Sequence, residues 1–423
     1  MQCYEICTVG EHRHIQRQQV KNLIVNIAEL THFSLPQEFP AGTMRTAQQP
    51  DKEYQAVYGE FAVYNLLEEI INDAFTYHDS NIYFFMPADY SFFFDTLFIQ
   101  YSRNNQVRIK CLLEFQRTAN KLEKSTTNLD ALYTLIPFLS LPRNGFEAFY
   151  IYSDYPVHKT SVLVMPYYII TNNTVINLSP DLRTAVAQRN QIVTNGYLHS
   201  FLEILAHTKP LMKQCSLIDS ISHYHDSCAS IIRDTITYSI EPHPCFEKYF
   251  TTEIIDAHLK DSVPNRNMLL NSVAEYYRTL ASAKFKNILL FSKEGFIDFT
   301  DFGVLSFLPE QYYSKFSAEE RTWLIRRLLH DIREEKQETR LINQAKFRVS
   351  NSAALTVIGE SSINITIRPP DNNLHYSKII HIDEISIVDA FHDFMQSILD
   401  TDLVHTKEET INLLENALEK LNN

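Results

Sequence analysis

Residues 146–181 read FEAFYIYSDYPVHKTSVLVMPYYIITNNTVINLSPD. Phe149, Ile151, Leu163, Val164, Tyr167, Ile169, Val175 and Ile176 are β-branched, aromatic or aliphatic, in runs short enough for strands. Thr171-Asn172-Asn173-Thr174 separates two of the runs. Asparagine tolerates positive φ, so a tight hairpin is expected there. Pro180 stops the second strand, because proline lacks the ladder's amide donor. A hairpin inside an α/β sheet needs strands beside it, and the flanking sequence can supply them.

Upstream, 61–75 reads as a helix with Leu66, Leu67, Ile70 and Ile71 on its inner face. Residues 81–86 (NIYFFM) read as a buried strand ended by Pro87, 107–115 as a second strand and 128–140 as a helix. The order β-α-β-α-β-β-β implies a mixed sheet covered by helices. Downstream, 182–280 reads as helical nearly throughout, punctuated by Pro210, Pro242, Pro244 and Pro264. The pattern then restarts: NILLFS at 287–292 echoes 81–86 in length and position. Ser317 is placed to cap a long helix, with Glu319 and Glu320 in its first turn. Strands are expected at 339–342, 355–358, 363–367 and 379–382, and helices at 384–400 and 407–421. The fold class expected is α/β: two pseudo-duplicated mixed-sheet halves joined by a helical middle. The corresponding division is an N-terminal helix and linker (1–57), a first α/β half (58–190), a helical middle (191–284), and a second α/β half with C-terminal helices (285–423).

Composition narrows the function. Apolar residues make up 45% of the 423, enough for real cores, and 27 Phe and 23 Tyr stand against one Trp. Only 8 glycines argue against a Gly-rich nucleotide loop. A formal charge of −13 gives no general attraction to nucleic acid. Six cysteines are too sparse for a disulfide framework, so a reducing cytoplasm is expected. No long apolar run or signal peptide is evident, so no membrane partner is expected. Residues 14–30 can form one amphipathic helix, but Pro36, Pro40, Gly42 and Pro50 occupy the place of a helix-turn-helix's second helix.

Several residue groups invite chemistry. Asp301-Phe302-Gly303, with Asn287 and Asp298, resembles the metal-binding end of kinase-like phosphotransferases, yet Ser282 stands where their catalytic aspartate is needed. His223-x-His225-x-x-Cys228 and His243-x-Cys245 offer zinc donors without the paired spacing of a zinc site. His207-Thr208-Lys209 and His405-Thr406-Lys407 begin like phospholipase-D motifs, but Gln214 and Asn412 stand where the aspartate belongs. Arg321, Arg326, Arg327 and Arg333 alternate with acids, as on a solvated helix face. The aromatic run from Tyr90 to Tyr101 suits a core or a pocket lining.

The phrases MPYYIITNNTVINLSPDLRTAV, TKPLMKQ, IEPHPCFEKYFTTEII, SKEGFIDFTDFGVLSFLPEQYYSKFSAEERTWLIRRLL and VHTKEETINLL carry a family resemblance. They resemble the ligand-sensing C-terminal region of helix-turn-helix transcriptional regulators from Firmicutes, across about 61–421. The strand order also resembles phospholipase-D-like sensor halves without the catalytic signature. The resemblance implies a sensor or assembly region with no catalysis of its own. Its DNA-binding domain is missing or degenerate in 1–60, so DNA is met only through a missing or separate domain. A small-molecule or peptide effector and a homodimer are expected, with no cofactor and no metal. Tyr90, Tyr150, Tyr152 and Tyr168 are the ligand-pocket candidates, for the hydroxyls they could turn into an apolar cavity. The alternatives are a kinase-like phosphotransferase, a zinc-dependent enzyme, or a defence or toxin interaction protein.

Overall fold

The computed structural model describes residues 9–30, 53–77, 80–104, 106–116, 127–139, 145–153, 164–216, 236–263, 265–282, 287–305, 310, 312–367 and 378–422. The expected linker at 31–50, the His223/His225/Cys228 group and the 154–163 part of the hairpin region lie outside them. In chain order the elements are α1 (Glu11–Leu30), β1 (Tyr54–Tyr58), α2 (Glu60–Ala74), β2 (Asn81–Phe85), α3 (Ser91–Arg103), β3 (Arg108–Gln116), α4 (Thr127–Leu139) and β4 (Phe146–Ser153). Then come β5 (Tyr167–Ile170), β6 (Val175–Leu178), β7 (Thr184–Gln188), α5 (Gln191–Ala206), β8 (Lys209–Pro210), β9 (Lys213–Ser216) and β10 (Thr237–Glu241). A 3-10 turn (Glu247–Tyr249), α6 (Thr252–His258), α7 (Arg266–Ser282), β11 (Asn287–Phe291), α8 (Lys293–Phe302), α9 (Ala318–Arg333) and β12 (Glu338–Leu341) follow. The chain ends with β13 (Ala353–Ile358), β14 (Ser362–Ile367), β15 (Lys378–Ile382), α10 (Ile385–Ser397) and α11 (Lys407–Asn422).

Two compact units result: residues 33–212, and residues 1–32 with 213–423. The first holds an eight-stranded sheet in the order β1-β7-β6-β5-β2-β3-β4-β8. The second holds a seven-stranded sheet in the order β12-β11-β10-β13-β14-β15-β9. Read from β9, this is β9-β15-β14-β13-β10-β11-β12, the first sheet's order without its last two-residue strand. In both, three parallel strands adjoin an antiparallel meander at the first parallel strand, β2 or β10. The fold is therefore α/β with two mixed sheets of one topology.

The hairpin forms as its residues dictate. Ile169 faces Phe84 of β2 and Ile176 of β6, and all three are buried. Its turn closes with the Thr171 amide donating to the Thr174 carbonyl at 2.9 Å. Neither Asn172 nor Asn173 takes positive φ. Asn172 instead works through its side chain: Oδ1 accepts from the Asn81 amide at 3.1 Å, and Nδ2 donates to Ser80 Oγ at 3.0 Å. The hairpin is thus tied to the start of β2.

The expected helical middle is corrected. Residues 191–284 include β8, β9 and β10, and β10 is a central strand. Its sequence, TYSIE, is buried at Thr237, Tyr238, Ser239 and Ile240 alike, so it shows no two-residue alternation. Two neighbouring strands shield its polar residues, which conceals it as an apolar run. The repeat consequently begins earlier than 287: β10 is the counterpart of β2, and β11 that of β3.

The N-terminal stretch is shared between the units. β1 pairs with β7, whereas α1 belongs to the second unit. There Val20, Leu23, Ile24 and Ile27 are buried, and Arg17 Nε donates to Asp393 Oδ2 of α10 at 2.8 Å. α9 begins with the full capping box, Ser317 and Glu320 each bonding the other's backbone. Gly303 ends α8 at φ 68°, and a Cβ there would lie 2.3 Å from the Phe316 carbonyl oxygen.

A buried charge at the hairpin tests this frame. Ile169→Asp should destabilise the first unit by about 4 kcal/mol or more, because the carboxyl would enter a sheet interior with no partner. Thermal unfolding followed by circular dichroism checks it, and a wild-type melting curve would remove β5 from the sheet's centre.

Candidate functional site

In mixed α/β sheets, ligands bind outside the carboxyl ends of strands where the connection order reverses. In the second unit that point is β10, parallel to β11 on one side and antiparallel to β13 on the other. The antiparallel register ends at Ile240, and Pro242 and Pro244 then lack the amides to continue a ladder. From the carboxyl end of β10 the chain therefore continues outside the ladder as Glu241-Pro242-His243-Pro244-Cys245-Phe246-Glu247.

Aromatic packing holds this segment in place. Phe246 is fully buried and stacks on Phe299 of α8 at 4.4 Å. Ser292, the N-cap of α8, accepts from the Gly295 amide at 3.0 Å, and its Oγ lies 3.0 Å from the Pro242 carbonyl and 2.8 Å from Asn351 Oδ1. A Cβ on Gly295 would come within 2.3 Å of the Pro242 carbonyl oxygen, so glycine is what allows the first turn of α8 to approach.

Held this way, Glu241, Cys245 and Glu247 bring one donor atom each within 4.8 Å of one another, all partly buried. Burial, then the Glu247 charge, pushes the Glu241 carboxyl well above the usual range. Burial, followed by Glu247 and Glu241, likewise raises the Cys245 thiol. Glu247 Oε2 is buried with no hydrogen-bond partner. The neighbouring cation is already committed: Lys248 Nζ donates to Asp331 Oδ2 at 2.7 Å, and the Tyr249 hydroxyl donates to the same oxygen at 2.8 Å. Burial pushes Asp331 up, but these two donors overcome it and hold the carboxyl below its ordinary value.

Of the zinc donors suggested by His243-x-Cys245, only the cysteine reaches this cluster. His243 is fully buried, with Nδ1 3.0 Å from the Pro244 carbonyl oxygen and its ring 6.2 Å from that of Phe246. The sequence reading missed Glu241 and Glu247, because a helical middle hid the strand end that joins them to Cys245. The usable signal was the alternation of two prolines with donor residues.

The four tyrosines of the first unit do not share one face. Phe84, Cys111 and Ala148 are cross-strand neighbours, and Tyr150 lies two residues beyond Ala148 on that face. Tyr150 stacks on Phe115 at 5.1 Å and meets Tyr152 at 5.4 Å. Tyr168 faces Phe85, on the opposite side, where α5 supplies Tyr197 at 5.7 Å; burial pushes its hydroxyl up to about 12. Tyr90, just before α3, packs 6.0 Å from Tyr64, and burial raises its pKa. Tyr150 and Tyr152 are brought together, then, and Tyr168 is set apart.

The remaining motifs resolve into structure. Asp301-Phe302-Gly303 is the end of α8, with Asp301 Oδ1 accepting from Lys420 Nζ at 2.7 Å. His207 is the C-cap of α5, and Thr406 forms a reciprocal cap with Glu409 at the start of α11.

No family model and no curated protein matches the chain. It is similar to the solved structure of phosphatidylserine synthase from Haemophilus influenzae Rd KW20, at 10% identity and a TM-score of 0.28, over 88% of this chain and 92% of that one. A second likeness is to Nuc, a phospholipase D family member from Salmonella typhimurium, at 12% identity and a TM-score of 0.25, over 37% of this chain and 96% of that one. A third is to TrmBL2, an archaeal chromatin protein, at 13% identity and a TM-score of 0.25, over 46% of this chain and 63% of that one. Two of the three are named as members of enzyme classes, which runs against the expectation of a chain without catalysis. Among the described residues, no helix is long and apolar enough to cross a membrane.

The Asp331 contacts predict an acid limb in stability. A carboxyl with a depressed folded pKa contributes stability above its unfolded pKa of about 3.9 and loses it as pH falls through the folded value. Wild type should therefore exceed Asp331→Asn in urea stability by about 1 kcal/mol at pH 7. The gap should close as pH falls from about 5 to below 3. A gap that stays constant across that range would mean the Lys248 and Tyr249 contacts do not depend on the charge.

Proposed function

We propose that this chain is the effector-binding region of a transcriptional regulator, and that it takes a positively charged effector at the carboxyl end of β10. The observation that carries the reading is Glu247, whose Oε2 is buried without a partner beside the raised carboxyl of Glu241. A buried carboxylate is costly unless a cation or N–H donor meets it, and Lys248 is held by Asp331. A cationic group entering from solvent would relieve that cost. The regulator role rests on the phrases that resemble Firmicutes sensor regions. With a formal charge of −13, DNA contact falls to a separate domain or chain.

Thermal shift tests the site. Polyamines, amino-terminal peptides and divalent cations are screened against wild type and Glu247→Gln. A ligand present at about 100 times its Kd should stabilise by about 2.7 kcal/mol and raise the melting temperature by roughly 5–10 °C. Glu247→Gln should abolish that rise. If every stabilising ligand acts equally on both proteins, the effector does not enter here. In a gel shift at physiological salt, the chain alone should give no sequence-selective complex. A tight selective shift would place DNA recognition within it.

A further inference from the structure

We infer that Glu241, Cys245 and Glu247 form a binding site for a single divalent metal ion of borderline softness, with Zn²⁺ the best match. The inference rests on the effector reading above and names the cation.

Three observations support it together. The donor set is mixed, one thiol and two carboxylates within 4.8 Å of one another. Thiolate ligation disfavours Mg²⁺ and Ca²⁺, which take oxygen donors, whereas Zn²⁺ accepts both cysteine sulfur and carboxylate oxygen. Second, Glu247 Oε2 is buried with no hydrogen-bond partner, so that oxygen is available to an ion. Third, the loop carrying the donors is anchored by Phe246 on Phe299 and by Ser292 beside the Pro242 carbonyl. The donor spacing is thus held before any ion arrives.

Binding requires the thiol proton, and any proton on the carboxyls, to leave for solvent as the sulfur and oxygens coordinate the ion. Three protein donors leave one tetrahedral position, which water or a donor atom of a further ligand would fill. His243 is not a fourth donor, because its ring lies in the aromatic core. The competing account is a proton shared between Glu241 and Glu247, which would close the cluster without metal.

The test uses the full chain freed of metal with a chelator, then titrated with Zn²⁺ by calorimetry and with Co²⁺ by absorption spectroscopy. Wild type should bind one more high-affinity Zn²⁺ than Cys245→Ser. It should also show a near-ultraviolet thiolate-to-cobalt band that Cys245→Ser lacks. Glu241→Gln and Glu247→Gln should each weaken that ion at least about tenfold, and they carry the test if Cys245→Ser does not fold. Excess Mg²⁺ should not displace it. Equal zinc stoichiometry and affinity in wild type and the variants would overturn the metal site and favour the shared proton. A polyamine or peptide shift lost in Glu247→Gln without a zinc difference would leave the effector reading standing and remove only the metal. Failure of both would remove the effector reading as well.

Discussion

The second unit depends on the two-sided pairing of β10. Thr237 to Glu241 bond in parallel to β11, and Thr237 to Ile240 bond antiparallel to β13. The parallel partner requires a crossover, which residues 242–286 provide with α6 and α7. The antiparallel partner opens a meander that returns through β14 and β15 to β9. The two directions diverge at this one strand, and Glu241 sits at its carboxyl end, where the crossover begins beside the N-terminus of α8.

The first unit repeats this arrangement around β2, with a different outcome. Its carboxyl end runs Phe85-Met86-Pro87, and Phe85 and Met86 are buried. A proline follows both strands, so both ladders stop, but one end packs apolar groups and the other gathers two carboxylates and a thiol. The duplicated topology is shared, while among the described residues the cluster of two carboxylates and a thiol lies in the second copy.

Packing holds the β10 end in place, beside the hydrogen bond between the Cys245 and Glu247 side chains. Phe246 inserts into a core shared with Phe291, Phe296, Phe299 and Phe316. Such aromatic contacts fix the loop at a small cost in side-chain entropy, because each ring has only two torsions to lose. The donor side chains are then held over a site that remains partly open to solvent.

Local physics made much of the fold legible in the sequence alone. The hairpin at 167–178 follows from short β-rich runs around a polar turn, the Ser317 cap from a hydroxyl three residues before Glu320, and α1 from its apolar periodicity. Each depends on neighbours a few residues apart. β10 was hidden because burial on both faces erases alternation, and its polar side chains are tolerable only inside a completed ladder. The asparagine turn was located by its residues, but its conformation was set by Ser80 and Asn81, which are more than ninety residues away in sequence. The Glu241–Cys245–Glu247 cluster lies within seven consecutive residues, and yet sequence could not assemble it. What joins the three is the end of a central strand, two prolines that halt the ladder, and a phenylalanine drawn into a distant helix's core. These are tertiary facts, because they depend on which strands and helices the rest of the chain brings alongside.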